Sequence, residues 1–143
     1  MITVRDILQN KGTQVYSTTP GSSVFGALEL MARHNVGALL IMEDKKLVGM
    51  FSERDYARKV ILKGKSSRET LVREIMTPNP LVIAPEAPIS ECLKVMTERQ
   101  VRHLPVVEGN AVIGVITIGD VGKTLIADHE DTIDKLETYI RGR

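Results

Sequence analysis

The feature that most constrains this chain is an internal repeat, because a repeat dictates the architecture before any single element is assigned. With Pro20 placed over Pro85 and an offset of 65 held, Leu28 meets Leu93, Met31 meets Met96, Val36 meets Val101 and Leu39 meets Leu104. The register continues without a gap through Glu43/Glu108, Gly49/Gly114, Asp55/Asp120 and Ile61/Ile126. Between these identities apolar residues meet apolar residues, as at Val24/Ile89, Ile41/Val106, Val48/Ile113 and Phe51/Ile116. A shorter match precedes: Val4-Arg5-Asp6-Ile7-Leu8 resembles Val72-Arg73-Glu74-Ile75-Met76, at an offset of 68. The difference falls in the loop near Asn10 to Gln14, where extra residues cost little closure entropy.

Each copy carries the same elements in the same order. Val24, Ala27, Leu28 and Met31 recur at helical spacing, as do Ile89, Cys92, Leu93 and Met96, and each set makes one apolar helix face. Ser22 or Ser23 suits the N-cap of the first helix and Pro88 the opening turn of the second. Two short apolar runs about a polar break follow in each copy: Val36 to Met42 then Leu47 to Phe51, and Val101 to Val107 then Val112 to Ile116. Such pairs read as hairpins. A helix starts near Ser52 and again near Thr117. The expected fold is α+β, a short helix then β-α-β-β-α in each repeat. A unit this small buries little surface alone, so the two sheets are expected to pack together and complete one core. The expected divisions are repeat 1 over 1–62, a polar linker over 63–72, repeat 2 over 73–127, and a C-terminal helix over 128–143. In that tail Ile133, Leu136 and Ile140 keep helical spacing, with acids early and Arg141 and Arg143 late, as the helix dipole favours.

Composition narrows the function classes. Basic and acidic residues number 19 and 18, a net charge of +1, which does not favour a general nucleic-acid coat or a polybasic membrane protein. There is no Trp, with three Tyr and two Phe, too few for stacking platforms on single strands. The lone cysteine, Cys92, aligns with Ala27 on an apolar helix face and reads as core packing; it fits a reducing compartment. No apolar run approaches the ~20 residues of a membrane span. The N-terminal residues lack the basic-then-apolar pattern of a leader, so the expectation is cytoplasmic residence. No two histidines have ligand spacing, and no metal site is expected. His34 and His129 read as surface residues.

One motif occurs twice: Gly49-Met50-Phe51-Ser52-Glu53-Arg54-Asp55 and Gly114-Val115-Ile116-Thr117-Ile118-Gly119-Asp120. Ser/Thr-x-x-acid is the spacing of a helix capping box. The same geometry serves ligand chemistry. A strand entering a helix N-terminus offers free N–H groups and partial positive charge to a phosphate. An aspartate one turn on has the acceptors to take both hydroxyls of a ribose. The two readings are compatible. Gly122-Lys123-Thr124 looks like the end of a phosphate-binding loop, but the loop's first glycine would stand at Thr117, so an ATPase is not expected. The basic stretch Arg58, Lys59, Lys63, Lys65 and Arg68 reads as a solvated face, with phosphate or partner contact as the alternative.

The duplication and the paired Gly-h-h-(Ser/Thr)-x-x-Asp motifs resemble a tandem CBS-domain pair, the Bateman module. The runs Ser-Glu-Arg-Asp-Tyr-Ala-Arg-Lys, Val-Arg-His-Leu-Pro-Val-Val and Ile-Gly-Asp-Val are similar to small stand-alone CBS pairs of bacteria and plant organelles. The resemblance implies a non-catalytic adenine-nucleotide sensor with two clefts between pseudo-two-fold-related repeats. Carried onto this chain, one cleft takes Ser52, Arg54 and Asp55 with Leu81, Arg102, His103 and Pro105. The other takes Thr117, Gly119 and Asp120 with Tyr16, Gly37, Ala38 and Leu40. The implied ligand is AMP, ADP, ATP or NAD(H), with no obligatory cofactor. The implied assembly is a homodimer that regulates an unidentified partner protein, and neither a membrane nor nucleic acid is implied. Arg102, His103 and Arg54 are matched in the second cleft by Gly37, Ala38 and Gly119, so the first is expected to hold phosphate more strongly. The rival reading is a structural dimerisation module with empty clefts.

Overall fold

The computed structural model describes residues 1–128; the tail from 129 onward, with His129 and most of the expected terminal helix, lies outside the described residues. The helical periodicities become α1 (Val4–Lys11), α2 (Val24–His34), α3 (Glu53–Tyr56), α4 (Val72–Ile75) and α5 (Ile89–Arg99). A last helix, α6, runs over residues 118–128. The strands are β1 (Ser17–Thr18), β2 (Ala38–Glu43), β3 (Lys46–Ser52), β4 (Thr77–Pro78), β5 (His103–Glu108) and β6 (Ala111–Thr117). Ser23 caps α2 by accepting from the Gly26 amide at 3.0 Å. Both long helices stop on a left-handed residue at equivalent positions, Asn35 (φ 53°) and Gln100 (φ 54°).

The repeats match bond by bond. The β2–β3 hairpin pairs Ala38 with Ser52 and the β5–β6 hairpin pairs His103 with Thr117, each with a register shift at the same place. Its first turn, Asp44-Lys45, has both residues at positive φ, as a two-residue hairpin turn needs. Thr18 pairs in parallel with Ile41, and Ile83 with Val106.

The core departs from the expectation of one shared interior. Two apolar clusters form. One holds Val24, Met31, Leu39, Ile41, Phe51 and Val60; the other holds Ile89, Cys92, Met96, Leu104, Val106 and Ile116. The short leading helices are exchanged between them. Val4, Ile7 and Leu8 of α1 belong to the second repeat's cluster, and Val72 and Ile75 of α4 to the first's. Backbone bonds fix the exchange: Val4 donates to Ala87 (2.9 Å) and Arg5 to Pro85 (2.8 Å), while Val72 donates to Ser22 (2.8 Å) and Arg73 to Pro20 (3.0 Å). The acceptors are the same two positions of each repeat. Leu40 and Pro105, also equivalent, are buried but fall in neither cluster. Side-chain alternation turns them from their own helices toward the opposite sheet, so the sheets meet there. No helix among the described residues is long and apolar enough to cross a membrane.

Candidate functional site

Strand β3 ends at Ser52 and β6 at Thr117, and each chain end turns into a helix through a complete capping arrangement. The Asp55 amide donates to Ser52 Oγ (3.2 Å), and the Ser52 amide to Asp55 Oδ2 (2.9 Å). The Asp120 amide donates to Thr117 Oγ1 (3.1 Å), and the Thr117 amide to Asp120 Oδ2 (2.8 Å). The next amides, of Glu53 and Ile118, donate to Gly37 O (3.0 Å) and Arg102 O (2.9 Å). These tips are therefore largely self-satisfied. Instead of offering the expected row of free N–H groups, they leave anion attraction mainly to side chains.

Each motif aspartate is also held by a lysine. Lys59, one turn after Asp55, reaches its Oδ1 at 3.2 Å, and Thr77 donates to the same oxygen at 3.4 Å. The Lys59 ammonium donates as well to Ile75 O (3.2 Å). It is carried by a π-helical turn, Ala57–Ile61, that continues α3 and has no counterpart in α6. Asp120 is met by Lys11, from the exchanged helix α1, at 2.7 Å; Lys11 donates also to Val115 O at 2.9 Å. Burial pushes the Asp120 carboxyl upward, but Lys11 and the Thr117 amide outweigh it and the net shift is down.

Two cavities lie between the repeats. The larger, about 680 Å³, is lined by Ser52, Arg54, Asp55, Leu81, Arg102 and His103 among others. Those are the residues expected in the first cleft, except Pro105, which lines neither cavity. The smaller, about 500 Å³, is lined by Tyr16, Gly37, Ala38, Leu40 and Thr117. Gly119 and Asp120, expected there, are not in its lining; Asp120 reaches it through its bonds to Lys11 and Thr117. Gly37, Met50, Arg102 and His103 line both cavities. Arg54 is turned to the opposite repeat, donating to Gln100 O at 3.3 Å, where it neutralises the C-terminus of α5. Tyr16 stacks on His34 with ring centroids 3.9 Å apart, so His34 is a partly buried support of the smaller cavity and not the surface residue expected.

Nothing in the sequence singles out Lys11, Thr77 or Arg99; Arg58 and Lys59, expected on a solvated face with phosphate or partner contact as the alternative, line the larger cavity. The i,i+4 spacing of Asp55 and Lys59 was a usable signal; Lys11 had none, since it arrives from the other end of the molecule. The His103 ring is pushed down from its ordinary value by burial, then by Arg102 and Lys11, with Asp120 opposing. Cys92 is buried, and burial lifts its thiol to about 11, which suits packing and not reactivity. Among the described residues no group of three His, Cys, Asp or Glu is placed to hold a metal.

The family model of the CBS domain matches twice, over residues 4–62 and 72–126. The chain belongs to the CBS-domain family. This CBS pair is 36% identical to the CBS domain-containing protein CBSX3, mitochondrial, of Arabidopsis thaliana, across 98% of this chain and 72% of that relative. It is 44% identical to the solved structure of a protein with CBS domains from Burkholderia ambifaria, with a TM-score of 0.87, covering 89% of this chain and 96% of that one. The fold is shared with the CBS domain pair of protein MJ0100, solved in complex with 5′-methylthioadenosine and S-adenosyl-L-methionine; there the identity is 24%, the TM-score 0.79 and the coverage 90% and 98%. The tandem CBS architecture expected from the repeat is thus the architecture of this chain.

Proposed function

We propose that this CBS pair is a non-catalytic sensor that binds an adenine nucleotide, AMP, ADP, ATP or NAD(H), between its repeats and passes the signal to a regulated protein. One observation carries the reading. A cavity of about 680 Å³ brings Ser52 and Asp55 of one repeat together with Arg102 and His103 of the other. A carboxylate for ribose hydroxyls and a cation for phosphate thus face one space, and a ligand touching both would favour one arrangement of the repeats over others. The adenosine-type ligands of the MJ0100 complex support the idea that this fold accommodates such molecules.

The test is calorimetric titration of the full chain with AMP, ATP and NADH, beside an Asp55→Asn variant. Loss of a charge-assisted bond of ~1.5–3 kcal/mol corresponds to a drop in affinity of about tenfold or more. Binding that is absent, or that ignores the substitution, removes the sensor reading. The second reading, a dimerisation module with empty clefts, draws on the lysines that already occupy Asp55 and Asp120; it predicts no heat with any of these ligands. In both readings the pair self-associates through exposed apolar residues late in α6 and its counterpart, Ile61 and Ile126, which are 55% and 61% exposed. Ile61→Glu with Ile126→Glu should convert a dimer to a monomer in analytical ultracentrifugation. The expected compartment is the cytoplasm; fractionation decides between this and the mitochondrial address in the plant relative's name.

A further inference from the structure

The two cavities are not separate rooms. Arg102 and His103 line both, on a wall completed by Gly37 and Met50. The wall is thin at Gly37: a Cβ there would lie 3.7 Å from His103 Nε2 and 3.0 Å from Glu53 Oε1. No side chain of residue 37 separates the spaces, so the imidazole of one repeat stands against the backbone of the other.

The supply of cations is unequal on the two sides. The larger cavity has Arg58 and Arg99 besides Arg102, and none of these three guanidinium groups has a hydrogen-bond or ion-pair partner among the described residues. The smaller has one cation of its own, Lys11, doubly engaged with Asp120 and Val115 O. Its remaining wall is uncharged, with Val15, Val36, Ala38 and Leu40 beside the neutral polar Gln14 and Thr117. An anion entering the smaller cavity depends on the shared Arg102. His103 adds no fixed charge while the protein is empty, since burial and the neighbouring cations hold it toward the neutral form.

We infer that Arg102 and His103 form one anion seat shared by both cavities, so that each chain takes a single phosphorylated adenine ligand while the smaller cavity takes an uncharged adenosine derivative. This deepens the sensor reading and rests on it. The first phosphate goes to the larger cavity, which Arg58, Arg99 and Arg102 all line, and it draws Arg102 with it. A second phosphate then meets a pocket with no uncommitted cation of its own, a lysine already held by Asp120, and the charge of the first. A neutral nucleoside meets no such penalty. The pair would therefore report a ratio of charged to uncharged adenine compounds, not the level of one.

The inference is tested by titrating the full-length protein with AMP and, separately, with adenosine. Expected are one strong AMP site per chain, a second at least tenfold weaker, and a gap that narrows in high salt. Adenosine should show a much smaller gap, and AMP-saturated protein should still bind one adenosine without releasing AMP. Arg102→Gln should weaken the first AMP site about tenfold and leave adenosine binding within twofold. Two equal AMP sites overturn the shared seat, as does an adenosine gap as wide as that of AMP, or AMP affinity unmoved in Arg102→Gln; in each case the sensor reading stands. Failure of adenosine alone to bind overturns the shared seat and leaves the sensor reading; no binding of AMP, ATP or NADH overturns both.

Discussion

Asp55 and Asp120 occupy the same place in the two repeats, yet the lysines that hold them do not. Lys59 follows Asp55 by one helical turn, whereas Lys11 belongs to another helix and reaches Asp120 from across the molecule. If the proposed nucleotide binds, its ribose competes in each case with an ammonium already in place, which sets a threshold on ligand affinity. Titration behaviour follows from the surroundings. Asp120 has a native pKa below its unfolded value of about 3.9, so it contributes stability above that pH and loses it as pH falls through the native value. His103 is depressed from about 6.5, so the native state binds fewer protons than the unfolded chain just below that value, and stability rises with pH across the window. On the proposed reading a phosphate beside His103 would oppose the depression, against Arg102 and Lys11 and with Asp120 and Glu53 near the same wall. AMP binding should therefore take up a proton between the empty and the bound pKa, and its affinity should rise as pH falls through that interval. Calorimetry in two buffers of different ionisation heat measures the uptake. Subtracting the uptake of His103→Gln removes the phosphate's own protonation near pH ~6. A difference of zero means the imidazole does not face the anion.

At the scale of elements, the two hairpins and their helices were legible because their periodicity is local. The same local pattern hid the exchange of α1 and α4. Val4, Ile7 and Leu8 match Val72, Ile75 and Met76 in size and spacing, so either helix fits either sheet, and only the chain path decides. The site divides along the same line. The paired Ser/Thr-x-x-Asp motifs could be read directly, while Lys11 could not, because its place depends on the exchange. The repeated glycine at 49 and 114 is explained only by that packing. A Cβ on Gly114 would stand 2.6 Å from Leu8 Cδ2 of α1, and one on Gly49 2.6 Å from Met76 Sδ and 3.1 Å from Thr77 O. Both glycines let an exchanged segment lie close on a sheet. Leu8 can yield by moving its methyls, but the Thr77 carbonyl is backbone in β4, so the two substitutions should differ. Gly49→Ala should cost about 1–3 kcal/mol, read as a lowered urea midpoint, and more than Gly114→Ala. Equal and negligible effects would mean that the close approach is not a constraint.

For the whole molecule, the exchange makes the two repeats one cooperative body although each has its own core. A cut in the polar linker near Ser66 severs no strand pair of either hairpin, yet it takes from each half a helix the other half owns. The N-terminal fragment keeps α1, whose Val4 is fully buried against the other repeat, and loses Val72, also fully buried. Each fragment then exposes one side of its cluster and carries an orphaned apolar helix. Loss of two or three buried aliphatic side chains, at roughly 2–4 kcal/mol each, matches or exceeds what a domain this size has in reserve. Neither 1–65 nor 66–143 should show a cooperative melt alone. Mixed in equal amounts they should regain both transitions as one, since α1 and α4 dock only across the pair. Circular dichroism and calorimetry on the fragments and the intact chain measure this directly. A fragment that folds alone, or two separate melts in the intact protein, would mean that each sheet holds its core without the borrowed helix. The clefts between the repeats would then sit at a loose joint, and a ligand bound there could move the repeats without working against the helix exchange.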